Sequence, residues 1–212
     1  MAVDKIVCVG KNYLEHAMEL GDPVPVEPVL FLKPASVFKQ VLHWGEELHL
    51  DFPSGETDVQ PECEIVLRLA HDGFKMTVEE AKEAVSDVTL GLDMTLRMRQ
   101  SLLKKQGYPW TTAKVFKDAA VSGPWIPYYK FNNYRDIEFQ FLINGILHQH
   151  AKGADMRMQP EDLLVYISQF FPLKAGDIIY TGTPAGVTSI SRDTTAELRW
   201  GDNYYRVKWK QV

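Results

Sequence analysis

The sequence predicts an α+β fold in which strands outnumber helices, and three stretches carry that expectation. Residues 62–69 alternate between polar and apolar positions with a period of two, as a strand with one buried face does. Residues 136–143 alternate in the same way and run into Asn144-Gly145, a two-residue hairpin turn, before a returning strand over 146–149. Thr77, with Glu80 three positions later, forms a capping box that opens a helical pattern over 77–86.

The remaining elements follow in order. Residues 5–9 read as a buried strand and 12–20 as a short helix, with Asn12 as N-cap, Glu15 three positions on and Gly21 closing it. The proline-rich stretch 23–28 is a loop, 29–33 a strand, and Lys33-Pro34 a stop. Residues 53–61 are polar and rich in turn formers. After the 77–86 helix come a strand over 88–94 and a helical stretch over 96–106. Beyond Gly123 the pattern is mainly β, interrupted by a helix over 160–170. Gly176-Asp177 is a tight turn into a strand over 178–181, and 196–211 make two strands joined near Gly201-Asp202-Asn203. Neither a repeat, a long linker nor a low-complexity segment divides the chain, so residues 1–212 are expected to form one domain with two or three helices.

A chain of 212 residues with 45% hydrophobic, 24% charged and 11% aromatic residues sits in the globular range. Its net charge of -5 is spread along the chain without a basic stripe, which argues against nucleic acid as a partner. The longest apolar runs, 28–32 and 178–180 among them, fall far short of the roughly 20 residues that span a bilayer. The N-terminus enters a strand-like run with neither a basic n-region nor a small-residue cleavage site. Cys8 and Cys63 lie in apolar alternation rather than in CxxC spacing. The expectation is a soluble cytoplasmic protein with reduced thiols and no membrane partner.

The chemistry-bearing residues are acidic. In a strand over 62–69, Glu62 and Glu64 project on one face and Cys63, Ile65 and Leu67 on the other. A solvated strand face explains such a pair on its own. Asp93, in Gly-Leu-Asp-Met-Thr, is different: a carboxylate in an apolar strand end needs a partner. Three carboxylates without clustered His or Cys suit a hard divalent cation, Mg2+ or Mn2+, better than zinc.

The order of short motifs resembles the fumarylacetoacetate hydrolase family. Val9-Gly10-Lys11-Asn12-Tyr13 with His16-Ala17 and Glu19, then Phe31-Leu32-Lys33-Pro34, resembles the opening of its domains. Glu62-Cys63-Glu64 matches E-x-E, and Asp93-Met94-Thr95-Leu96-Arg97 with Gln100 matches D-x-T-x-R-x-x-Q. Pro109-Trp110-Thr111 leads to Lys114 as the family's lysine segment does. Asn144-Gly145 with Gln149 resembles N-G-x-x-x-Q, and Gly176-Asp177-Ile178-Ile179 followed by residues 181–187, Thr-Gly-Thr-Pro-Ala-Gly-Val, matches the longest motif. The resemblance covers nearly the whole chain.

That resemblance implies a mixed β-roll with a few peripheral helices, a homodimer, and Mg2+ (or Mn2+) held by Glu62, Glu64 and Asp93, with open positions for a small-molecule 2-oxo acid. It implies Lys114 beside a developing pyruvate enolate, and His16 with Glu19, three apart on a helix, activating water. Without the resemblance His16 and Glu19 read as a surface pair, and Lys114 as a snorkelling residue. Arg97 and Gln100 can hold a substrate carboxylate, and Thr183 can offer its hydroxyl and backbone N–H. The activity it implies is metal-dependent hydrolysis of an acylpyruvate-type 2,4-dioxo acid. Alternatives are decarboxylation of oxaloacetate or a related 2-oxo acid, isomerisation or hydration of aromatic-degradation intermediates, and a non-catalytic metal- or ligand-binding domain. Two departures stand out: Lys117 stands where many members carry an acid, and Arg99 where many carry Asp. Both add positive charge, for an extra substrate carboxylate or for a local pairing.

Overall fold

The computed structural model describes residues 3–19, 26–131 and 133–210, the side chains of His16 and Ala17 excepted. The first half contains β1 (Lys5–Gly10), α1 (Leu14–Glu19), β2 (Val29–Pro34), β3 (Phe38–Gln40), β4 (Glu47–Asp51) and β5 (Val59–Leu69). It continues through α2 (Val78–Glu83), β6 (Val85–Leu96), α3 (Arg97–Gln106) and α4 (Thr111–Lys114). The second half holds β7 (Ala120–Ser122), β8 (Ile126–Pro127), β9 (Glu138–Ile143), β10 (Ile146–Lys152), α5 (Pro160–Ser168), β11 (Ile178–Tyr180), β12 (Thr195–Trp200) and β13 (Asn203–Lys210).

These strands make two mixed sheets, the α+β arrangement the sequence predicts. One has the order β2-β1-β11-β5-β6-β7-β3, with β8 pairing β6, and the other the order β10-β9-β12-β13-β4. Pairing is parallel for β1 with β11, β3 with β7, and β13 with β4, and antiparallel elsewhere. No helix among the described residues is long and apolar enough to cross a membrane.

The long antiparallel ladder of β5 and β6 is the spine of the larger sheet. Its register sets Glu62 opposite Asp93 and Glu64 opposite Gly91. Gly91 lets β7 close on the far side: a Cβ there would lie 2.5 Å from the Val121 carbonyl oxygen and 2.7 Å from Val66 Cγ2. On β5, Cys63, Ile65 and Leu67 face the core as the alternation predicts, but the opposite face is not solvated. Glu62 and Glu64 are 6% and 2% exposed, because the loop after β11 and the segment from α3 to α4 cover them.

Other boundaries shift for local reasons. The Thr77–Glu80 capping box is present, yet α2 stops at Glu83 and Val85 already belongs to β6. The helix expected over 12–20 begins at Leu14, and Asn12 does not cap it. Its buried amide instead donates to the carbonyls of Met158 (3.0 Å) and Thr181 (2.9 Å) and accepts from Met158 N–H (2.9 Å). Leu20 and Gly21 lie outside the described residues. At Asn144-Gly145 the φ values of 50° and 80° are those of the hairpin turn read from the sequence. Cys8 and Cys63 are free and buried, and burial, the largest influence on each, raises both thiols above their usual range.

Candidate metal centre and active-site pocket

Three carboxylates converge where β5 and β6 cross the sheet. Glu62, Glu64 and Asp93 each place an oxygen within 4.8 Å of the others, and all three are buried. Burial is the main force on Glu64, followed by the negative charges of Asp93 and Glu62; together they push its carboxyl well above the usual range, against the Gly182 N–H and Lys114. Asp93 Oδ1 is buried and receives no hydrogen bond, although Lys33 Nζ sits 2.5 Å away as an ion pair. An all-oxygen donor set, crowded and buried, fits a hard divalent cation such as Mg2+ or Mn2+. Among the described residues no other group of three such side chains does.

Cations frame the carboxylates. One turn of helix, α4, is closed by N–H bonds from Ala113 and Lys114 to the Trp110 carbonyl and aims Lys114 at the floor. The Lys114 ammonium donates to Glu62 Oε2 at 2.8 Å, Asp93 Oδ2 at 2.6 Å and Thr95 Oγ1 at 2.6 Å. It also lies 4.8 Å from the centre of the Phe31 ring. Burial opposes its charge, but Asp93 and Glu62 outweigh that penalty and hold it above the usual lysine range. It is therefore a fixed positive charge, not a base.

Arg97, the first residue of α3, donates through Nη2 to Glu62 Oε1, through Nη1 to Gln100 Oε1 (2.7 Å) and through Nε to Gln60 Oε1 (2.7 Å). Arg97 and Gln100 thus line the pocket as a bonded pair.

The glycine-flanked segment after β11 closes the other side. Gly182 has φ of 102°, where a side chain is strained and a Cβ would come within 2.8 Å of Asn12. That conformation turns its N–H onto Glu64 Oε2 at 2.6 Å. Thr183 lines the pocket, but its hydroxyl donates to the Cys63 carbonyl (2.9 Å) and accepts from Gln149 Nε2 (2.8 Å). The hydroxyl is thus engaged in holding the loop to β5. Gln149 completes the clamp by donating to the Pro184 carbonyl (2.8 Å) and accepting from Cys63 N–H (3.1 Å).

Glu19, on α1, takes the Gly186 N–H on both oxygens at 3.2 Å, so the helix that bears His16 is tied to the same loop. The His16 side chain lies outside the described residues. Trp110 lines the pocket with Phe31, their ring centres 5.9 Å apart. Leu14 instead borders a separate cavity with Tyr13 and Pro184, Met18 is 69% exposed, and Val24 is outside the described residues.

Sequence reasoning passes over Lys33, which it treats as a strand stop. Lys33 is fully buried, donates to the carbonyls of Met94 (3.0 Å) and Ala119 (2.6 Å), and pairs with Asp93. The available signal is that Lys33 shares a strand face with Phe31. Arg99 and Lys117 do not reach the pocket: Arg99 pairs with Glu56 at 2.9 Å and Lys117 with Asp51. Of the two readings of their charge, local pairing is the one observed.

The model of the family described as fumarylacetoacetate (FAA) hydrolase C-terminal matches residues 5–209. Among relatives, the mitochondrial oxaloacetate tautomerase of Caenorhabditis elegans is 36% identical over 194 residues, covering 92% of this chain and 88% of that protein. The mitochondrial oxaloacetate decarboxylase of Dictyostelium discoideum is 36% identical over 183 residues, 86% of this chain and 82% of that one. Among solved structures, fumarylpyruvate hydrolase from Pseudomonas aeruginosa in complex with Mn2+ and pyruvate superposes with a TM-score of 0.91 at 32% identity, covering 98% of this chain and 91% of that chain. With sequence and backbone in agreement from β1 to β13, the chain belongs to the fumarylacetoacetate hydrolase family, whose members are enzymes.

Proposed function

We propose that this protein is a divalent-metal-dependent enzyme that forms and discharges the enolate of a small 2-oxo acid, with oxaloacetate as the leading substrate. The observation that carries this reading is the buried Lys114 ammonium, fixed 2.8 Å from Glu62 and 2.6 Å from Asp93, beside a carboxylate triad suited to a hard cation. The relatives weight the choice of substrate. Names of oxaloacetate tautomerases and an oxaloacetate decarboxylase favour the decarboxylase alternative over acylpyruvate hydrolysis and add tautomerisation to it.

Glu62, Glu64 and Asp93 would hold the metal, Mg2+ or Mn2+. When bound, it supplies Lewis acidity and a template for the 2-oxo carboxylate. In tautomerisation the C3–H bond breaks, its electron pair becomes the C2–C3 double bond, and the C2 oxygen takes the negative charge; protonation there gives the enol. Lys114 stabilises that charge because its own proton is held firmly. Arg97 and Gln100, locked together, orient the C1 carboxylate, and Thr183 lines the same pocket. His16, oriented by Glu19, is the proposed proton acceptor at C3. In decarboxylation the C3–C4 bond breaks instead: C4 leaves as CO2, and the electron pair of that bond forms the enolate of pyruvate, with its negative charge on the same C2 oxygen.

Hydrolysis of an acylpyruvate is the second reading, favoured by the resemblance to fumarylpyruvate hydrolase. There His16 takes a proton from the water that attacks the distal carbonyl. The homodimer and the cytoplasmic setting inferred from the sequence remain part of the proposal, the latter supported by two free, buried thiols.

The test supplies oxaloacetate and acetylpyruvate separately, following enol absorbance, CO2 release and pyruvate formation. Enol loss without CO2 identifies a tautomerase, stoichiometric CO2 a decarboxylase, and pyruvate with acetate from acetylpyruvate a hydrolase. Inertness toward both substrates in the presence of metal refutes the proposal.

A further inference from the structure

Arg97, the residue assigned to the substrate carboxylate, does not hold its own position. Its guanidinium meets a different partner at each nitrogen: Glu62 at Nη2, Gln100 at Nη1 and Gln60 at Nε. Two of these contacts lie at the outer end of the fork, so Gln60, accepting at 2.7 Å, fixes the Nε corner and with it the tilt of the plane. Gln60 stands on the stripe of β5 that carries the triad, two residues before Glu62 and opposite Thr95 of β6. Its polarity is set from behind. The amide nitrogen donates to Asp58 Oδ1 at 3.0 Å and to Ser189 Oγ at 3.2 Å, and the Ser189 hydroxyl donates to the same Asp58 oxygen. A carboxylate accepts and never donates, so Asp58 turns the amide nitrogen to itself and leaves the amide oxygen for Arg97. The Asp58 carbonyl also takes the Arg97 backbone N–H at 2.9 Å, which ties both ends of the arginine to one place on the sheet.

We propose that Gln60 is a positioning residue for the 2-oxo acid: with its amide oriented by Asp58, it aims the Arg97 guanidinium at the substrate carboxylate. This rests on the role given to Arg97 above and extends it to a residue that does not itself line the pocket. The competing explanation is structural. The Val59 carbonyl accepts the Ile190 N–H at 2.9 Å, and a purely structural role would make Gln60, Asp58 and Ser189 no more than a second fastening between that segment and the start of β5. Ser189 belongs to the fastening, and its bonds run to Asp58 and Gln60, which makes it the control.

The experiment measures pyruvate binding to the Mn2+-loaded protein by calorimetry, together with kcat and KM for oxaloacetate. Gln60→Met keeps the length of the side chain and removes the acceptor, at a half-buried position. It is expected to weaken pyruvate binding and raise KM about five- to ten-fold, with kcat within about three-fold of wild type and Mn2+ affinity within about two-fold. In an Arg97→Lys background, where the Nε–H is gone, adding Gln60→Met should change pyruvate affinity less than about two-fold, the non-additivity of two residues that act as one. Ser189→Ala should bind pyruvate as the wild type does. Equal losses in both backgrounds, unchanged affinity in Gln60→Met, or a loss in Ser189→Ala as large as in Gln60→Met would overturn this inference, while wild-type turnover of oxaloacetate leaves the enolate chemistry standing. A wild type that neither binds pyruvate nor converts oxaloacetate overturns both.

Discussion

Glu62 and Asp93 face each other across the β5–β6 ladder, and one ammonium, Lys114 Nζ, reaches an oxygen of each. Two strands that pair for ordinary reasons thereby bring two like charges together in a buried place, where neither is tolerable without a cation. The predictions follow from that placement.

Lys114→Met removes the charge that both carboxylates share and the hydrogen bond that the Thr95 hydroxyl accepts. Breaking a buried ionic network from one side costs about 3 kcal/mol or more. Because a divalent cation restores the missing charge, added Mn2+ should recover much of the lost melting temperature, while turnover stays at least a thousand-fold down. Thermal melts with and without Mn2+, alongside initial rates, check both halves.

Glu64→Gln should separate stability from binding. The carboxyl at Glu64 is held well above its usual range by burial and by Asp93 and Glu62, so a neutral isostere removes repulsion while its amide oxygen still accepts from Gly182. The metal-free variant should melt at or above the wild-type temperature and lose the upward shift that Mn2+ gives the wild type. A Mn2+ shift as large as wild type would remove Glu64 from the ligand set.

Gln149→Leu tests the clamp on the glycine loop. It deletes three hydrogen bonds and strands the Cys63 N–H and the Pro184 carbonyl in a buried site, at ~2–4 kcal/mol in all. Held to β5 by fewer bonds, the loop would place Gly182 N–H less well against Glu64, so calorimetric titration should show metal affinity falling along with stability.

Asp177 marks a purely structural site. It is fully buried, accepts the backbone N–H groups of Lys5 (3.1 Å) and Lys174 (2.8 Å), and pairs with Lys5 Nζ at 2.7 Å. Asp177→Ala should cost ~2–3 kcal/mol without changing kcat per folded molecule. Burial lowers the Lys5 pKa, but the hydrogen bonds it donates to Asp177 and Asp4 prevail and raise it. The stability it adds is therefore complete below the ordinary lysine value and is lost as pH rises through the higher folded one. The stability gap between wild type and Asp177→Ala should narrow there without closing, because the two backbone hydrogen bonds to Asp177 do not titrate.

How much of this is legible in the sequence depends on how local the signal is. The 62–69 strand, the Thr77 capping box and the Asn144-Gly145 turn are written in neighbouring residues and appear where expected. The carboxylate triad is legible because Asp93 is a charge in an apolar run, which needs a partner whatever the fold. Strands β3, β4, β7 and β8 are short and owe their existence to distant partners, as in the parallel pairing of Phe38–Gln40 with Ala120–Ser122, so no local pattern announces them. Asn12 looks like a cap because its type suits one, yet its amide serves the loops at Met158 and Thr181, which only the tertiary fold brings near. Lys33 is hidden for the same reason: a lysine before proline reads as an end, and only the closure of β6 and the Ala119 segment around it reveals a buried ion pair.

The most direct test of the metal-enolate account is a Mn2+ titration of chelator-treated protein, recording bound metal by calorimetry and oxaloacetate enol loss in the same samples. The account predicts one binding site per chain, turnover that rises in step with its occupancy, and loss of both in Glu64→Gln. Undiminished turnover in metal-free protein, or full occupancy of a site that Glu64→Gln leaves intact, would contradict it.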